Sequence, residues 1–243
     1  MGGVDRRGVF WLVTGIFLLG VMLLPGSLAL PAQARWEAKV YGAVRYVDTE
    51  LPLVALTFDD GPDPHATEAV LAVLRSRQVR ATFFLIGEQV EMYPDLVRSI
   101  QADGHEIGNH SYSHRLLTNL NGNKNVIVDE VQKGASAIAR VTGRVPVLFR
   151  PPRRYDENMV AVVRAQGSEV ILWSLDTSDW RSCTPSIRDA IKKNVSPGDI
   201  ILMHDRCWGS PAMRNVLGGI IDDLRSRNFQ LVTVSTLLSA GGK

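Results

Sequence analysis

Two groups of polar residues combine carboxylates and imidazoles in a way that suits a metal ion. Asp59 and Asp60 directly follow the apolar run Leu53–Phe58, and His110 and His114 lie four residues apart on a polar segment. Asp60 and the two imidazoles together offer one oxygen and two nitrogen ligands. Three such ligands leave a coordination position for water and substrate, as catalytic zinc-type sites require. The pattern therefore points to a metal site of the catalytic type.

Taken one at a time, the same residues fit simpler structural roles. Adjacent acids before Gly61-Pro62 are compatible with a turn and a helix cap, and an isolated pair of histidines is commonly a surface feature. Burying two neighbouring carboxylates without a cation would be unfavourable, however. The two groups together therefore favour metal binding over either structural role.

The elements that position these residues follow a regular pattern. Strand-like and helix-like stretches alternate from Leu53 onwards, which predicts a parallel β/α fold. A count of about seven strands favours an incomplete or distorted (β/α) barrel over an open doubly wound sheet, although strand counting alone does not separate the two. Nearly every unusual polar cluster follows a strand-like run. We expect these clusters to form one site, because active sites of β/α barrels assemble at the strand ends.

The first residues have the layout of a secretory signal. Arg6 and Arg7 precede the uncharged apolar run Gly8–Leu24, and the small-residue triplet Ala32-Gln33-Ala34 follows. An uncleaved anchor is the alternative, because the run is near the lower limit of about 17 to 25 residues for crossing a bilayer. Either interpretation exports the rest of the chain, and the membrane is a partner only if the segment is retained. The predicted divisions are a signal peptide or signal anchor over residues 1–34, a lead-in over 35–52 and the domain over 53–243.

The composition argues against nucleic acid as a partner. The 243 residues include 27 Lys and Arg against 25 Asp and Glu, and the formal net charge is only +2. Domains that bind nucleic acid usually concentrate positive charge on one face. The length and the ordinary hydrophobic content fit one globular domain of moderate size.

Five motifs occur in an order that resembles one known family. They are Thr57–Pro62, Asn109–His114, Arg150–Pro152, Trp173–Trp180 and Leu202–Asp205. Over roughly Leu53 to Leu238 the chain resembles the NodB-type polysaccharide deacetylases, carbohydrate esterase family 4. The resemblance implies an exported bacterial cell-envelope hydrolase that removes N-acetyl groups from the amino sugars of a polysaccharide. Peptidoglycan and chitin-like oligomers are the expected substrates.

The resemblance also implies a role for each matching residue. Asp60, His110 and His114 correspond to the ligands of a divalent metal ion, usually zinc, with cobalt or another transition ion as alternatives. Asp59 corresponds to the general base that takes a proton from the attacking water. His204 corresponds to the general acid that protonates the departing sugar amine.

Four other residues are expected to support this chemistry. Arg150 would keep the general base ionised, and Asp176 would orient the general acid and favour its imidazolium form. Trp180 and Leu202 resemble the walls of the pocket for the acetyl methyl group. Each of these residues also has a structural alternative, as an ion-pair or core residue, but their joint occurrence in family order favours the functional roles.

One position departs from the family pattern. After the third motif the family commonly has an aromatic residue, often Tyr-Gly, whereas Arg153 and Arg154 follow here and Tyr155 comes later. The resemblance assigns an oxyanion contact to a backbone N–H at this turn, which Arg153 also possesses. The guanidinium groups could contact a carboxylate or phosphate on an acidic glycan. A solvated loop is an equal alternative.

Two other classes of function compete with deacetylation. The first is a non-catalytic, glycan-binding cell-wall protein on the same fold, which the changed turn at Arg153 favours and the intact Asp59 and His204 oppose. The second is a glycosidase that uses Asp59 with another carboxylate, which would suit a β/α barrel. Two histidines beside the acids fit a glycosidase less well than a metal-dependent hydrolase.

The two cysteines, Cys183 and Cys207, follow the fourth and fifth motifs. Disulfides persist outside the cytosol, and we predict a bond between this pair. The bond would close a loop of about 25 residues and destabilise the unfolded chain by about 3 to 4 kcal/mol in the entropy model. Two unpaired cysteines, packed as small apolar residues, are the alternative.

Overall fold

Strands and helices alternate along the part of the chain that the computed structural model describes, which is residues 39–118, 123–181, 184–206 and 213–241. The strands within these ranges are β1 (Lys39–Val40), β2 (Ala43–Val44), β3 (Leu53–Asp59), β4 (Thr82–Leu85), β5 (Glu106–Asn109), β6 (Leu148–Phe149), β7 (Glu169–Val170), β8 (Leu175–Asp176), β9 (Ile200–His204) and β10 (Gln230–Val232). The helices are α1 (Thr67–Ser76), α2 (Gly87–Met92), α3 (Pro94–Ala102), α4 (Lys124–Thr142), α5 (Glu157–Ala165), α6 (Pro185–Asn194), α7 (Arg214–Ser226) and α8 (Val234–Ala240).

Seven parallel strands form a path in the order β7-β6-β5-β4-β3-β9-β8, and β10 pairs with the first residues of β3. Strands β7 and β8 are consecutive in sequence but lie at opposite ends of this path. Residues 171–174, here called the seam, connect them. The N–H of Ile171 donates to Phe149 at 2.9 Å, and that of Ser174 donates to Ile200 at 3.1 Å. The seam therefore links the two ends of the path, β7 and β8, which do not pair with each other, so the sheet is curled but not closed and the predicted incomplete barrel is confirmed.

The central strand β3 explains how the site is placed. Its residues are almost wholly buried, as expected for a parallel strand covered on both faces, and its apolar sequence supplies the core. In the parallel register Asp59 lies opposite His204 of β9 and Phe84 of β4. On the next strand pair, Leu85 lies opposite Asn109. The polar residues after β3, β5 and β9 are therefore brought to the same edge of the sheet.

One predicted strand is divided in the structure. The apolar run Val170–Ser174 is predicted as a continuous strand, whereas the structure has β7 ending at Val170 and β8 beginning at Leu175. The residues between them change hydrogen-bonding partner from β6 to β9. Because this exchange interrupts both ladders, the run cannot be one regular strand.

Two predictions concern residues outside the described ranges. The signal or anchor segment, residues 1–34, and the cysteines at 183 and 207 all lie there, so the signal and the disulfide remain predictions. Among the helices in the described ranges, none combines the length and the apolar character needed to cross a bilayer.

Candidate active site

Asp60, His110 and His114 converge beyond the ends of β3 and β5. Asp60 Oδ1 lies 3.3 Å from His110 Nε2 and 3.1 Å from His114 Nε2. One ligand atom from each residue lies within 4.8 Å of the other two. Asp60 and His114 both have left-handed backbone, with φ values of 72° and 56°, so each lies at a sharp change of chain direction. The predicted ligand set is therefore brought together in space.

The hydrogen bonds around this triad fit a cation. His110 Nδ1 lies 2.8 Å from the carbonyl oxygen of Arg150, which can only accept, so Nδ1 carries the proton and Nε2 presents a lone pair. The buried Asp60 Oδ1 has no hydrogen-bond donor among the described residues. A lone pair and a carboxylate oxygen in this arrangement repel each other unless positive charge lies between them. One carboxylate and two imidazoles are a suitable donor set for zinc or a similar divalent ion.

The same acidic surroundings act on the protonation of His110. Burial alone would lower the pKa of His110, but the charges of Asp59 and Asp60 and the contacts with Asp60 and Arg150 outweigh burial and raise it. The site thus stabilises positive charge at His110, whether a proton or a metal ion supplies it. We expect the two to compete, so that metal affinity weakens as the pH falls.

Asp59 is held by a buried arginine. Arg150 is fully buried, and its Nη1 donates to Asp59 Oδ1 at 2.8 Å and to Thr57 Oγ1 at 2.7 Å. The other oxygen, Asp59 Oδ2, lies 3.8 Å from His110 Nε2. The predicted contact between Arg150 and Asp59 is therefore present, and it leaves Oδ2 beside the metal triad.

The carboxylate that contacts His204 is Asp179, and the prediction that Asp176 orients this histidine is wrong. Asp179 is fully buried, and its Oδ1 accepts from His204 Nδ1 at 2.7 Å while Oδ2 accepts from the His204 backbone N–H at 2.6 Å. Asp176 is exposed, and its carboxylate accepts from the N–H of Ser178 at 2.7 Å instead. With Nδ1 committed to Asp179, His204 presents Nε2 toward Asp60 Oδ2, 3.9 Å away.

These groups line one cavity of about 490 Å³. Leu202 is a buried part of its wall, and Trp180, which is 47% exposed, lies on its outer side. Arg153 also lines the cavity. The remaining lining residues are Asp59, Asp60, His110, His114, Pro151, Trp173, Asp176 and His204. Every residue predicted to act on the substrate or the metal therefore borders a single space, apart from the buried Arg150 behind Asp59.

Comparison with known proteins assigns the family. The sequence profile of the polysaccharide deacetylases matches residues 46–171. A peptidoglycan-N-acetylglucosamine deacetylase of Bacillus cereus is 37% identical over 203 residues, which cover 79% of this chain and 93% of that protein. The chain belongs to the polysaccharide deacetylase family.

Solved structures of polysaccharide deacetylases and related esterases share the fold. One is a peptidoglycan N-acetylglucosamine deacetylase in complex with 4-naphthalen-1-yl-N-oxidanyl-benzamide, with a TM-score of 0.76, 32% identity, and coverage of 81% of this chain and 92% of that one. Another is a family 4 acetyl xylan esterase from Clostridium thermocellum in complex with a cobalt ion. Its TM-score is 0.71 at 34% identity, and the match covers 77% of this chain and 90% of that one.

The environment of His204 suits a proton donor in this polysaccharide deacetylase. Burial alone would lower the pKa of His204, but the hydrogen bond and charge of Asp179, together with the charges of Asp59 and Asp60, raise it to about 9. The imidazolium form is therefore favoured at neutral pH. Its second proton is on Nε2, the nitrogen that Asp179 does not contact.

Replacing Asp179 by asparagine should move the alkaline limit of activity to lower pH. Activity that requires protonated His204 falls as the pH rises through the pKa of His204, and loss of the Asp179 charge lowers that pKa. The measurement is kcat/KM against pH. Asp176→Asn is the matched control, and its alkaline limb should stay in place. A shift in the Asp176 variant alone would restore the sequence-based assignment.

Three residues of the site were not recognised from the sequence as functional. Asp179 and Trp173 lie inside the fourth motif, so their position in the motif was the available signal. Thr57 begins the first motif, but the sequence assigns it no role of its own. Its hydroxyl accepts from Arg150 and donates to the Ile201 carbonyl at 2.7 Å, so Thr57 helps to fix Arg150.

Asp205 is a buried acid that lies against Gly61, the residue after Asp60. Burial raises its pKa to about 7, with the charges of Asp63 and Asp60 adding to the effect and the hydrogen bond from Thr67 opposing it. Asp205 Oδ2 lies only 2.7 Å from where a Cβ at Gly61 would be. Position 61, directly after the ligand Asp60, therefore has no space for a side chain.

Proposed function

We propose that the chain hydrolyses N-acetyl groups from the amino sugars of a polysaccharide, with a divalent metal ion held by Asp60, His110 and His114. The observation that carries this proposal is the single cavity that joins the ligand triad, the Asp59 carboxylate and the Asp179-paired His204. Family membership agrees with it, because the related Bacillus cereus protein bears the name of a peptidoglycan-N-acetylglucosamine deacetylase.

The side chains divide the proton transfers between two sides of the cavity. Asp59 Oδ2 takes a proton from the attacking water, while Arg150 and Thr57 hold the carboxylate in place. His204 Nε2 gives a proton to the departing nitrogen, which must leave as an amine. Leu202 and Trp180 offer apolar surface to the acetyl methyl group.

The turn at Arg153 offers a donor for the developing oxyanion. Arg153 has left-handed backbone with a φ of 61°, and its N–H has no acceptor among the described residues. An unpaired N–H beside the cavity can stabilise negative charge on the carbonyl oxygen in the transition state.

Zinc is the metal that we propose, with cobalt as the nearest alternative. A set of two imidazoles and one carboxylate is typical of catalytic zinc, and the related acetyl xylan esterase structure contains cobalt. When bound, the ion activates water and polarises the acetyl carbonyl.

The direct test is to incubate the purified, zinc-loaded protein with N-acetylglucosamine tetramer and to quantify three products. We expect acetate and free amine in equal amounts, without new reducing ends. New reducing ends would instead identify a glycosidase. Binding of the tetramer without acetate release would identify a non-catalytic glycan-binding protein.

Arg153 is proposed to bind an acidic group on the glycan. Its side chain is exposed, lines the catalytic cavity and makes no ion pair with another described residue. A guanidinium group in this position can receive a carboxylate or phosphate in bidentate geometry. A sugar with a carboxylate substituent, such as N-acetylmuramic acid in peptidoglycan, carries the required charge.

Replacing Arg153 by alanine should lower kcat/KM for a carboxylate-bearing N-acetylated glycan by about ten- to a hundredfold, the usual worth of a hydrogen bond to a charged group. The neutral N-acetylglucosamine tetramer should be hydrolysed nearly as before, and Arg154→Ala serves as the matched control. Equal losses on the acidic and neutral glycans would contradict charge recognition by Arg153.

We propose that the enzyme acts outside the cytoplasm, on the bacterial cell envelope. Its relatives include an enzyme named for peptidoglycan, which is an extracytoplasmic polymer. The signal-like or anchor-like residues 1–34 support the same location.

A further inference from the structure

A buried carboxylate from α4 contacts the chain between His110 and His114. Glu130 is 6% exposed and lies on the inner face of α4. Its Oε2 accepts from the backbone N–H groups of Tyr112 and Ser113 at 3.1 and 2.9 Å, and its Oε1 accepts from the Ser113 hydroxyl at 2.8 Å. Among the described residues, the donors to this buried acid all belong to residues 111–113, here called the ligand loop.

The backbone of the ligand loop needs external support. Ser111 and His114 both have left-handed backbone, with φ values of 67° and 56°. This conformation is unfavourable for residues with a side chain and persists only where the surrounding contacts impose it. At the start of α2, the N–H groups of Gly87 and Glu88 donate to the carbonyl oxygens of Ser111 and Tyr112, at 3.0 Å each. Helix α2 therefore holds the carbonyl groups of the loop, and the buried acid of α4 holds its N–H groups.

Helix α4 is itself fixed against the ligand loop. Gly134 lies about one turn after Glu130, and a Cβ at Gly134 would lie only 2.8 Å from the carbonyl oxygen of Ser111. The amide nitrogen of Asn109, at the end of β5, donates to the carbonyl oxygen of Val131 at 2.9 Å. The helix backbone thus packs directly on the loop with no side chain between them. The Glu130 carboxylate is therefore presented to the loop from a fixed position.

The two histidine ligands depend on the ligand loop to different extents. The ring of His110 is oriented by its own hydrogen bond, from Nδ1 to the carbonyl oxygen of Arg150 at 2.8 Å. The Nδ1 atom of His114 has no hydrogen-bond partner among the described residues, and its side chain is 23% exposed. The backbone N–H of His114 donates to Ser111 Oγ at 3.0 Å. The position of the His114 ring is therefore determined largely by the loop backbone.

We propose that Glu130 is a positioning residue for the metal ion, which holds the ligand loop so that His114 Nε2 stays beside Asp60 Oδ1. This proposal rests on the proposed function for the presence of the ion. Glu130 does not line the catalytic cavity, so it acts only through the loop. Its removal should therefore weaken metal binding and leave the other proton-transfer groups in place.

The test compares the zinc affinity of three substitutions at Glu130, measured by competition with a chelator. Glu130→Ala should bind zinc about ten- to a hundredfold more weakly, the usual cost of losing a contact that holds a metal ligand in place. Glu130→Gln should stay within about threefold of the parent, because its amide can accept from both N–H groups and donate to the Ser113 hydroxyl. Glu130→Asp keeps the charge but is one methylene too short, so about tenfold weaker binding is expected.

Glu106→Ala is the matched control for a general loss of stability. Glu106 begins β5, at the end remote from the site, and accepts from the Thr82 hydroxyl at 2.8 Å and from the Ser235 N–H at 3.1 Å. Its removal should lower the unfolding temperature without changing zinc affinity. Equal losses of zinc affinity in the Glu106 and Glu130 variants would overturn the proposal. So would unchanged affinity in Glu130→Ala, or weak binding in Glu130→Gln with native binding in Glu130→Asp, since charge rather than reach would then decide.

A double-mutant cycle shows whether the effect passes through His114. In a His114→Ala protein, adding Glu130→Ala should change zinc affinity by less than about twofold, because the ligand that the loop positions is already gone. A further loss as large as in the parent would overturn the proposal. These binding measurements do not depend on acetate release. If the predicted affinities are found in a protein that releases no acetate, only the deacetylase function is contradicted.

Discussion

Asp59→Asn should reduce acetate release by on the order of a hundred- to ten-thousand-fold while the protein keeps its metal. Asparagine can still accept the hydrogen bond from Arg150 at Oδ1, so the surroundings of Arg150 are preserved. The amide nitrogen at the other position has no basic lone pair and cannot take a proton from water. Turnover is therefore lost through chemistry, because Asp59 is not one of the three ligand residues.

Two measurements check this expectation on the same sample, namely the rate of acetate release and the metal content. Asp95→Asn on α3 is a matched control, since Asp95 is an exposed acid paired with Arg98. Both its rate and its metal content should equal those of the unsubstituted protein. Near-native acetate release by the Asp59 variant would refute its assignment as general base.

His110→Ala should weaken metal binding by at least about a hundredfold, because even the loss of a hydrogen bond to a metal ligand commonly costs ten- to a hundredfold. His110 is 2% exposed and supplies one of the two nitrogens in the triad. Its removal leaves Asp60 and His114, which are too few ligands to hold an ion firmly. Acetate release should disappear at stoichiometric zinc for this reason.

Metal titration of the His110 variant distinguishes metal loss from misfolding. The metal-free variant should still unfold cooperatively, at a lower temperature than the metal-free parent because a buried, hydrogen-bonded side chain is lost, while zinc should stabilise the parent far more. His65→Ala is the control, because His65 is an exposed histidine outside the triad, and its zinc affinity should be unchanged. Undiminished zinc affinity in the His110 variant would remove it from the ligand set.

The grouping of the three proposed metal ligands was predictable from sequence because each of them follows a strand. The apolar run before Asp59 and Asp60 defines β3, and the parallel register then fixes the edge at which His110 and His204 must lie. Residue type and strand order together were sufficient for this part. The prediction that these residues share one cavity is in agreement with the structure.

The partner of His204 was not predictable in the same way. Asp176 ends β8, Asp179 lies three residues later in the loop that follows, and the two have the same chemistry. The choice between them depends on the turn at Ser178, whose backbone is left-handed with a φ of 52°. In this turn Asp176 bonds locally to the Ser178 N–H and Asp179 is directed inward. Sequence patterns report which residues a loop contains but not the rotation of the chain within it.

The division of the predicted strand Val170–Ser174 at the seam was also not predictable from residue types alone. The residues from Val170 to Trp173 are apolar and satisfy the usual criteria for a buried strand. Hydrophobicity does not encode which neighbour a strand bonds to, and the seam exchanges β6 for β9 within a few residues. That exchange depends on the curling of the whole sheet, which brings β6 and β9 to either end of the seam.

Arg150 contacts both the seam and the active-site residue Asp59. This double role bears on how enzymes of this fold can lose their activity in evolution. Its Nε and Nη2 donate to the carbonyl oxygens of Ile171 and Leu172 in the seam, at 3.3 and 2.9 Å, while Nη1 holds Asp59. A descendant that no longer needs catalysis can exchange Asp59 for another hydrogen-bond acceptor, yet it still needs the guanidinium group to satisfy the seam carbonyls. Selection for folding alone would therefore preserve Arg150, so an arginine at this position in a related protein is evidence of a curled sheet with this seam rather than of retained activity.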